Sequence, residues 1–190
     1  MHTAQISGWI GSMLLYEILV VDRSDTVFNP VWRQGCYVMP VVIRLGAVSS
    51  VYGWTQGMDQ EGSTWSYESV MVSQVVLSGL LVLASQWHWA YSDLDVFLSS
   101  SSGNLVLDLN RIFRVHLSLS SILCFTYGIG HLSGTFGPGF WTSDAYGLLG
   151  SIRGVKPSYA LTGLIFSSYG VVTANHIVLG VFGLTVRIWH

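Results

Sequence analysis

The chain has 190 residues, of which 51% are hydrophobic and only 9% are charged. Soluble domains carry roughly 25% charged residues, so this composition excludes a soluble globule and predicts that lipid surrounds much of the surface. The net charge is −2 and no run of basic residues occurs, which argues against a nucleic-acid partner.

Four segments are apolar enough to cross a membrane, which takes about 20 residues in a helix. They predict an all-α transmembrane helical bundle that forms a single domain over residues 1–190. Because each span crosses once, the two long loops lie on one side of the membrane and the short loop lies on the other. The predicted helices are residues 1–21, 70–91, 112–132 and 171–190, the long loops are 22–69 and 133–170, and the short loop is 92–111.

Histidines are concentrated in these spans, where ionisable side chains are costly and usually mark function. His116 and His131 are 15 residues apart, and His176 and His190 are 14 apart. At 1.5 Å per residue both intervals are about 21 Å, and both return to roughly one side of a helix. Two helices therefore each offer two imidazoles in two layers, which suits axial ligands of tetrapyrrole metals. The six histidines are His2, His88, His116, His131, His176 and His190.

Small residues lie beside several of these histidines. Gly128 and Gly130 precede His131, and Gly180 follows His176. Such residues would let a flat macrocycle lie against the helix backbone. They are equally typical of close helix–helix packing, so both interpretations stay open.

Spacing alone leaves two kinds of tetrapyrrole protein open. A membrane b-type cytochrome binds two haems through four histidines on two helices, and the pairs on the third and fourth helices could supply these. A chlorophyll protein needs one histidine for each magnesium, which also gives a role to His2 and His88. A transporter with a histidine–carboxylate relay is disfavoured because no acidic residue lies in the middle of a predicted span.

The sequence gives no indication of an enzyme. It contains no nucleophile motif, phosphate-binding loop or cysteine spacing for a metal. Glu17 and Asp144 could act as acid–base groups, but neither has a second carboxylate or a histidine close to it in sequence. We therefore predict structural roles for both.

The loops and helix ends carry a series of motifs. They are Phe28-Asn29-Pro30-Val31-Trp32-Arg33-Gln34-Gly35 and Arg44-Leu45-Gly46 in the first long loop, Leu77-Ser78-Gly79-Leu80-Leu81 and Trp87-His88-Trp89 in the second helix, Leu107-Asp108-Leu109 and His116-Leu117 around the start of the third, and Gly137-Pro138-Gly139, Trp141, Ser143-Asp144 and Tyr146-Gly147-Leu148 in the second long loop. In this order they resemble the forty-seven-kilodalton chlorophyll-binding core antenna of photosystem II, over nearly the whole chain. The sister forty-three-kilodalton antenna shares the helix pattern but not this run of loop motifs.

The resemblance implies a light-harvesting function, with excitation energy passed to the reaction centre of photosystem II. It implies that the six histidines are axial ligands of chlorophyll a magnesium, and that β-carotene and lipids lie between the helices. It also implies docking to the reaction-centre heterodimer and small membrane subunits of a thylakoid membrane, with no nucleic acid and no soluble substrate. The long loops would then face the lumen, although their basic residues would place them on the opposite side by the positive-inside rule.

The chain departs from this family in two ways. Gln74 and Asn175 stand where the family carries histidines. Gln74 precedes His88 by 14 residues, and its amide oxygen suits magnesium, so we expect it to keep a chlorophyll; the alternative is a hydrogen bond to a neighbouring helix. Asn175 is shorter and adjoins His176, which makes it a weaker candidate.

The family has six spans and the resemblance covers the first four, so we also expect that the chain is not a complete functional unit.

Overall fold

The computed structural model describes residues 1–22, 28–47, 65–91, 107–146, 148–159 and 168–190. Within these ranges the protein is mainly helical, which confirms the predicted all-α transmembrane class. The helices are α1 (His2–Val20), α2 (Met39–Arg44), α3 (Tyr67–Tyr91), α4 (Leu109–Thr126) and α5 (Tyr169–Trp189), and α4 continues as a π-helix over Tyr127–Leu132. A 3-10 turn covers Val31–Arg33, and the strands β1 (Phe140–Thr142) and β2 (Ser151–Arg153) form an antiparallel hairpin.

Of the described helices, three are long and apolar enough to cross a membrane: α3, α4 with its π-helical continuation, and α5. Helix α1 forms where the first span is predicted but does not reach the same hydropathy, since it contains polar residues such as Gln5 and Glu17. Helices α3 and α4 begin at Tyr67 and Leu109, three residues before the predicted starts at 70 and 112. The predicted short loop 92–111 lies mostly outside the described residues.

The chain divides into two compact units. The first comprises Met1–Tyr91 and Phe140–Arg153, and the second comprises Ser92–Gly139 and Gly154–His190. Each unit contains one pair of packed long helices, α1 with α3 and α4 with α5. The prediction that residues 1–190 form a single domain stays a prediction.

The α1–α3 pair of the first unit is antiparallel and is joined through small residues. Ser78 donates a hydrogen bond from Oγ to the carbonyl oxygen of Ala4 at 2.7 Å. A Cβ atom built at Gly11 would lie 2.7 Å from the side chain of Val75, so glycine permits this close approach of the two backbones. Where α2 packs against this pair, the core contains the fully buried side chains of Leu14, Met39 and Tyr67.

Glu17 connects the last turn of α1 to the start of α2. Its carboxylate is buried and accepts hydrogen bonds from the backbone N–H groups of Val38 at 2.9 Å, Met39 at 2.7 Å and Tyr37. The first N–H groups of a helix have no partner within the helix itself, so this carboxylate satisfies donors that would otherwise be buried without an acceptor. The structural role predicted for Glu17 is confirmed.

Asp144 organises the turn between β1 and β2. Its Oδ1 accepts hydrogen bonds from the backbone N–H groups of Leu149 at 2.9 Å and Leu148 at 2.7 Å. These donors, with a weaker one from Tyr146, stabilise the carboxylate and lower the pKa of Asp144. The structural role predicted for Asp144 is therefore confirmed as well, in a hairpin that lies within the predicted loop 133–170.

The α4–α5 pair of the second unit is also antiparallel, with glycine at its closest points. A Cβ atom built at Gly180 would lie 2.6 Å from the backbone nitrogen of Phe125, and one built at Gly128 would lie 3.0 Å from Cβ of His176. At Gly128 and Gly180 the structure shows close helix packing, and space for a macrocycle beside these histidines stays a prediction. The segment 154–158 connects the two helices at one end of the pair. The backbone N–H of Val155 donates to the carbonyl oxygen of Leu132 at the end of the π-helix, and that of Ser158 donates to Gly170 in the first turn of α5, at 2.9 Å each.

Candidate functional site

The π-helix at the end of α4 explains an irregularity in the histidine spacing. A π-helical turn holds about one residue more than an α-helical turn because its hydrogen bonds run from residue i to i+5. The interval from His116 to His131 includes most of this segment, whereas the interval from His176 to His190 lies on the regular helix α5 and at its end. The 15-residue interval on α4 thus covers about as many turns as the 14-residue interval on α5. π-Helical turns are frequent at functional sites.

The first layer of histidines lies where α4 ends and α5 begins. His131 stacks on Tyr127, with ring centroids 5.1 Å apart and an interplanar angle of 29°. His176 packs edge-on against the same tyrosine, with centroids 5.3 Å apart. Tyr127 therefore joins two imidazoles that come from different helices.

The second layer lies at the opposite end of the α4–α5 pair. His190 packs edge-on against Phe113, with ring centroids 5.5 Å apart, and His116 follows Phe113 by three residues on α4. The four histidines of these helices are thus arranged in two layers, as their spacing predicts.

Two imidazoles hydrogen-bond to the backbone of their own helix. Nδ1 of His116 lies 2.9 Å from the carbonyl oxygen of Ile112, and Nδ1 of His176 lies 2.8 Å from that of Val172. Because a carbonyl oxygen can only accept, Nδ1 is the donor in both contacts, and the neutral form of each ring then has its lone pair on Nε2. Metal-binding histidines are typically oriented in this way by their second nitrogen. His116 is exposed and His176 is partly exposed, so ligands can approach both from outside the helix pair.

His2 and His88 belong to the first unit, at one end of the α1–α3 pair. Both are exposed. Ser85 Oγ lies 2.7 Å from Sδ of Met1, which places the start of α1 beside the last turns of α3. The structure therefore brings these two histidines to the same end of their helix pair.

Gln74 is engaged in the interface between α1 and α3. Its side-chain oxygen Oε1 accepts a hydrogen bond from Ser7 Oγ at 2.5 Å, and its carbonyl oxygen lies 2.9 Å from the same hydroxyl. This bond is the alternative that the sequence leaves open for Gln74, a hydrogen bond to a neighbouring helix in place of magnesium ligation. The amide oxygen retains a second lone pair, and magnesium ligation by Gln74 stays a prediction. Asn175 is exposed on α5 beside His176.

The sequence analysis does not predict the aromatic side chains that contact the histidines. Tyr127 precedes His131 by four residues, and Phe113 precedes His116 by three. Residues three and four apart are neighbours on a helix surface, so this spacing could have indicated the proximity of Tyr127 to His131. The contact of Tyr127 with His176 depends on the packing of α4 against α5.

A comparison with protein families gives a match that covers the whole chain. The model of one family, described as photosystem II protein, matches residues 1–190.

Proposed function

Because the chain belongs to the photosystem II protein family, we propose that it is a chlorophyll a-binding inner-antenna subunit of the forty-seven-kilodalton type, which harvests light and transfers excitation energy to the reaction centre. Membership of this family makes the chain a membrane protein of the photosynthetic complex, consistent with its three helices that can cross a membrane. The antenna role, the pigments and the docking partners belong to the proposal.

The observation that carries the proposal is the state of His116 and His176. In both rings Nδ1 donates to a carbonyl oxygen of the same helix, which leaves Nε2 of the neutral imidazole as the nitrogen that can ligate a metal. The residues therefore fit a tetrapyrrole metal that takes one axial imidazole. We propose the same role for His2, His88, His131, His190 and Gln74, and Asn175 is a weaker candidate.

Chlorophyll supplies the absorption of light and the excited state when it is bound. The chain's own residues hold the pigments in position. The two histidine layers of the α4–α5 pair are separated by roughly 21 Å of helix, and the glycine contacts of Gly128 and Gly180 fix the two helices against each other. In this role the protein sets distances and orientations and makes or breaks no bonds.

Exposed apolar side chains on the helices support the remaining parts of the proposal. Leu80 and Leu83 on α3 and Leu179 and Phe182 on α5 are each more than half exposed. Such surfaces suit β-carotene, lipid and the apolar helices of other subunits. We propose the reaction-centre heterodimer and small membrane subunits as these partners, in a thylakoid membrane with the long loops in the lumen.

The alternative of a b-type cytochrome requires one iron between two histidines of facing helices. In the layer of His131 and His176 the ring of Tyr127 packs against both imidazoles. This arrangement favours separate ligation of each imidazole over a shared iron.

An absorption spectrum of the purified membrane complex tests the proposal. We expect a red chlorophyll band, and His116→Ala should lower the chlorophyll content by one molecule per chain. Asn110→Ala, on the same exposed helix, is the control and should leave the content unchanged. A reduced-minus-oxidised haem spectrum without a red band would overturn the proposal in favour of the cytochrome.

A further inference from the structure

Tyr127 contacts two imidazoles through its aromatic ring. The ring stacks on that of His131, with centroids 5.1 Å apart and an interplanar angle of 29°. It meets the ring of His176 edge-on, with centroids 5.3 Å apart and an angle of 65°. Offset stacking and edge-to-face contact are the two arrangements that aromatic pairs prefer. One side chain thus makes a directional contact with each of two proposed ligands.

The backbone beside Tyr127 is held close to α5. The next residue is Gly128, where an added Cβ atom would lie 2.9 Å from the side chain of Ile177 and 3.0 Å from Cβ of His176. Three residues before Tyr127, Cys124 donates a hydrogen bond from Sγ to the carbonyl oxygen of His176 at 3.2 Å. The packing of α4 on α5 therefore keeps the tyrosine ring next to this imidazole.

The backbone of His131 is fixed as well, by the loop that follows it. The carbonyl oxygen of His131 accepts a hydrogen bond from the backbone N–H of Gly139 at 2.9 Å. A Cβ atom built at Gly137 would lie 2.7 Å from Cα of His131 and 3.3 Å from Cγ of its ring. Because the backbones on both sides of Tyr127 are held in this way, the remaining freedom of each imidazole is rotation about its side-chain bonds.

We propose that Tyr127 is a positioning residue shared by His131 and His176, and that its ring fixes the mutual orientation of the two imidazoles. Groups that orient a ligating imidazole without touching the metal are part of a metal site. A change at Tyr127 should therefore alter both sites of this layer together. The inference rests on the proposed ligation by these two histidines, and it depends on the ring contacts of Tyr127 and not on its hydroxyl.

Substitutions at Tyr127 in the full chain, assembled in its membrane complex, test this role. Cryo-electron microscopy gives the orientation of both imidazoles, and low-temperature absorption of the red band reports the surroundings of the pigments. Tyr127→Phe keeps the ring and should change neither. Tyr127→Leu removes one aromatic contact from each imidazole, and such a contact favours one arrangement by about two- to tenfold. Both imidazoles should then take additional orientations, and the red band should shift at unchanged pigment content.

The matched control is Tyr16→Leu, which makes the same substitution at an exposed tyrosine of α1 in the first unit. It should leave both imidazoles and the red band unchanged. Tyr127→Met fills more of the space of the ring with a flexible side chain, and it takes the place of Tyr127→Leu if the leucine variant does not assemble.

Three results would each overturn the proposal: unchanged imidazoles in Tyr127→Leu or Tyr127→Met, a change confined to one imidazole, or an equal change in Tyr127→Phe or Tyr16→Leu. A wild-type complex without a red band would instead contradict the proposed function. The two failures are distinguishable, because the orientation of the imidazoles is measured whichever tetrapyrrole is bound.

Discussion

The hydroxyl of Ser7 on α1 donates to two oxygen atoms of Gln74 on α3. Ser7 Oγ lies 2.5 Å from the side-chain oxygen of Gln74 and 2.9 Å from its main-chain oxygen. The atom that would ligate magnesium is thus the atom that joins the two helices. Because this oxygen has a second lone pair, the hydrogen bond and the proposed ligation of magnesium do not exclude each other.

We expect Ser7→Ala and Gln74→Leu to lower the stability of the α1–α3 pair by about 1 kcal/mol each, the usual contribution of such a hydrogen bond. The effects should be less than additive in the double variant, because both changes remove the bond to the side-chain oxygen, whereas Gln74→Leu leaves the main-chain oxygen as an acceptor for Ser7. The free energy of unfolding in detergent measures this coupling. The pigment content of Gln74→Leu decides the ligand role: one chlorophyll fewer per chain supports ligation, and an unchanged content contradicts it.

Gly180→Ala should separate α4 from α5. The new Cβ atom would meet the backbone nitrogen of Phe125 at 2.6 Å, and a backbone atom cannot give way as a flexible side chain can. We expect a loss of about 1–3 kcal/mol in the free energy of unfolding. Gly79→Ala is the matched control: no atom lies within 4 Å of its Cβ position, and the helix propensity of alanine should stabilise α3 by up to about 1 kcal/mol. Equal effects of the two substitutions would show that the close approach at Gly180 is not required.

Glu17→Gln should loosen the connection between α1 and α2. The N–H of Val38 contacts both oxygens of the carboxylate, that of Tyr37 only Oε1 and that of Met39 only Oε2. An amide has one acceptor oxygen where the carboxylate has two, so the N–H of either Tyr37 or Met39 loses its partner. An unsatisfied buried donor costs about 1–3 kcal/mol. Faster hydrogen exchange at one of these two amides would report the change. Asp22→Asn removes an exposed carboxylate and should alter stability by less than about 0.5 kcal/mol; an effect as large as that of Glu17→Gln would point to net charge as the cause.

The turn between β1 and β2 should open at acidic pH. The N–H donors of Leu149 and Leu148 lower the pKa of Asp144 in the folded state, so the carboxylate stabilises the turn at neutral pH. This contribution is lost as the pH falls through the lowered pKa, because protonation weakens the acceptor. The backbone amide chemical shifts of these two leucines, followed by NMR between neutral and acidic pH, would measure the transition. Asp144→Asn should abolish it, and a transition that persists in this variant would assign the pH dependence to another group.

The sequence predicts the long helices well because hydropathy is a local property. The transfer of a segment from water to lipid depends on its own side chains, and α3 and α5 accordingly lie within three residues of the predicted segments 70–91 and 171–190. The histidine spacing likewise predicts two layers, since the rise of a helix is constant. Glu17 and Asp144 could be assigned structural roles from the absence of neighbouring partners in sequence, although their backbone donors could not be named.

The sequence by itself determined the class of the protein, the positions of its helices and the spacing of its imidazoles along them. Tertiary structure decided which helices pair, and with that every contact between residues far apart in the chain. Ser7 meets Gln74 across 67 positions, and Tyr127 contacts His131 within its own helix but reaches His176 through the packing of α4 on α5. Such contacts depend on side-chain shape at the closest points of two helices, where glycine permits a backbone approach that a single Cβ atom would prevent.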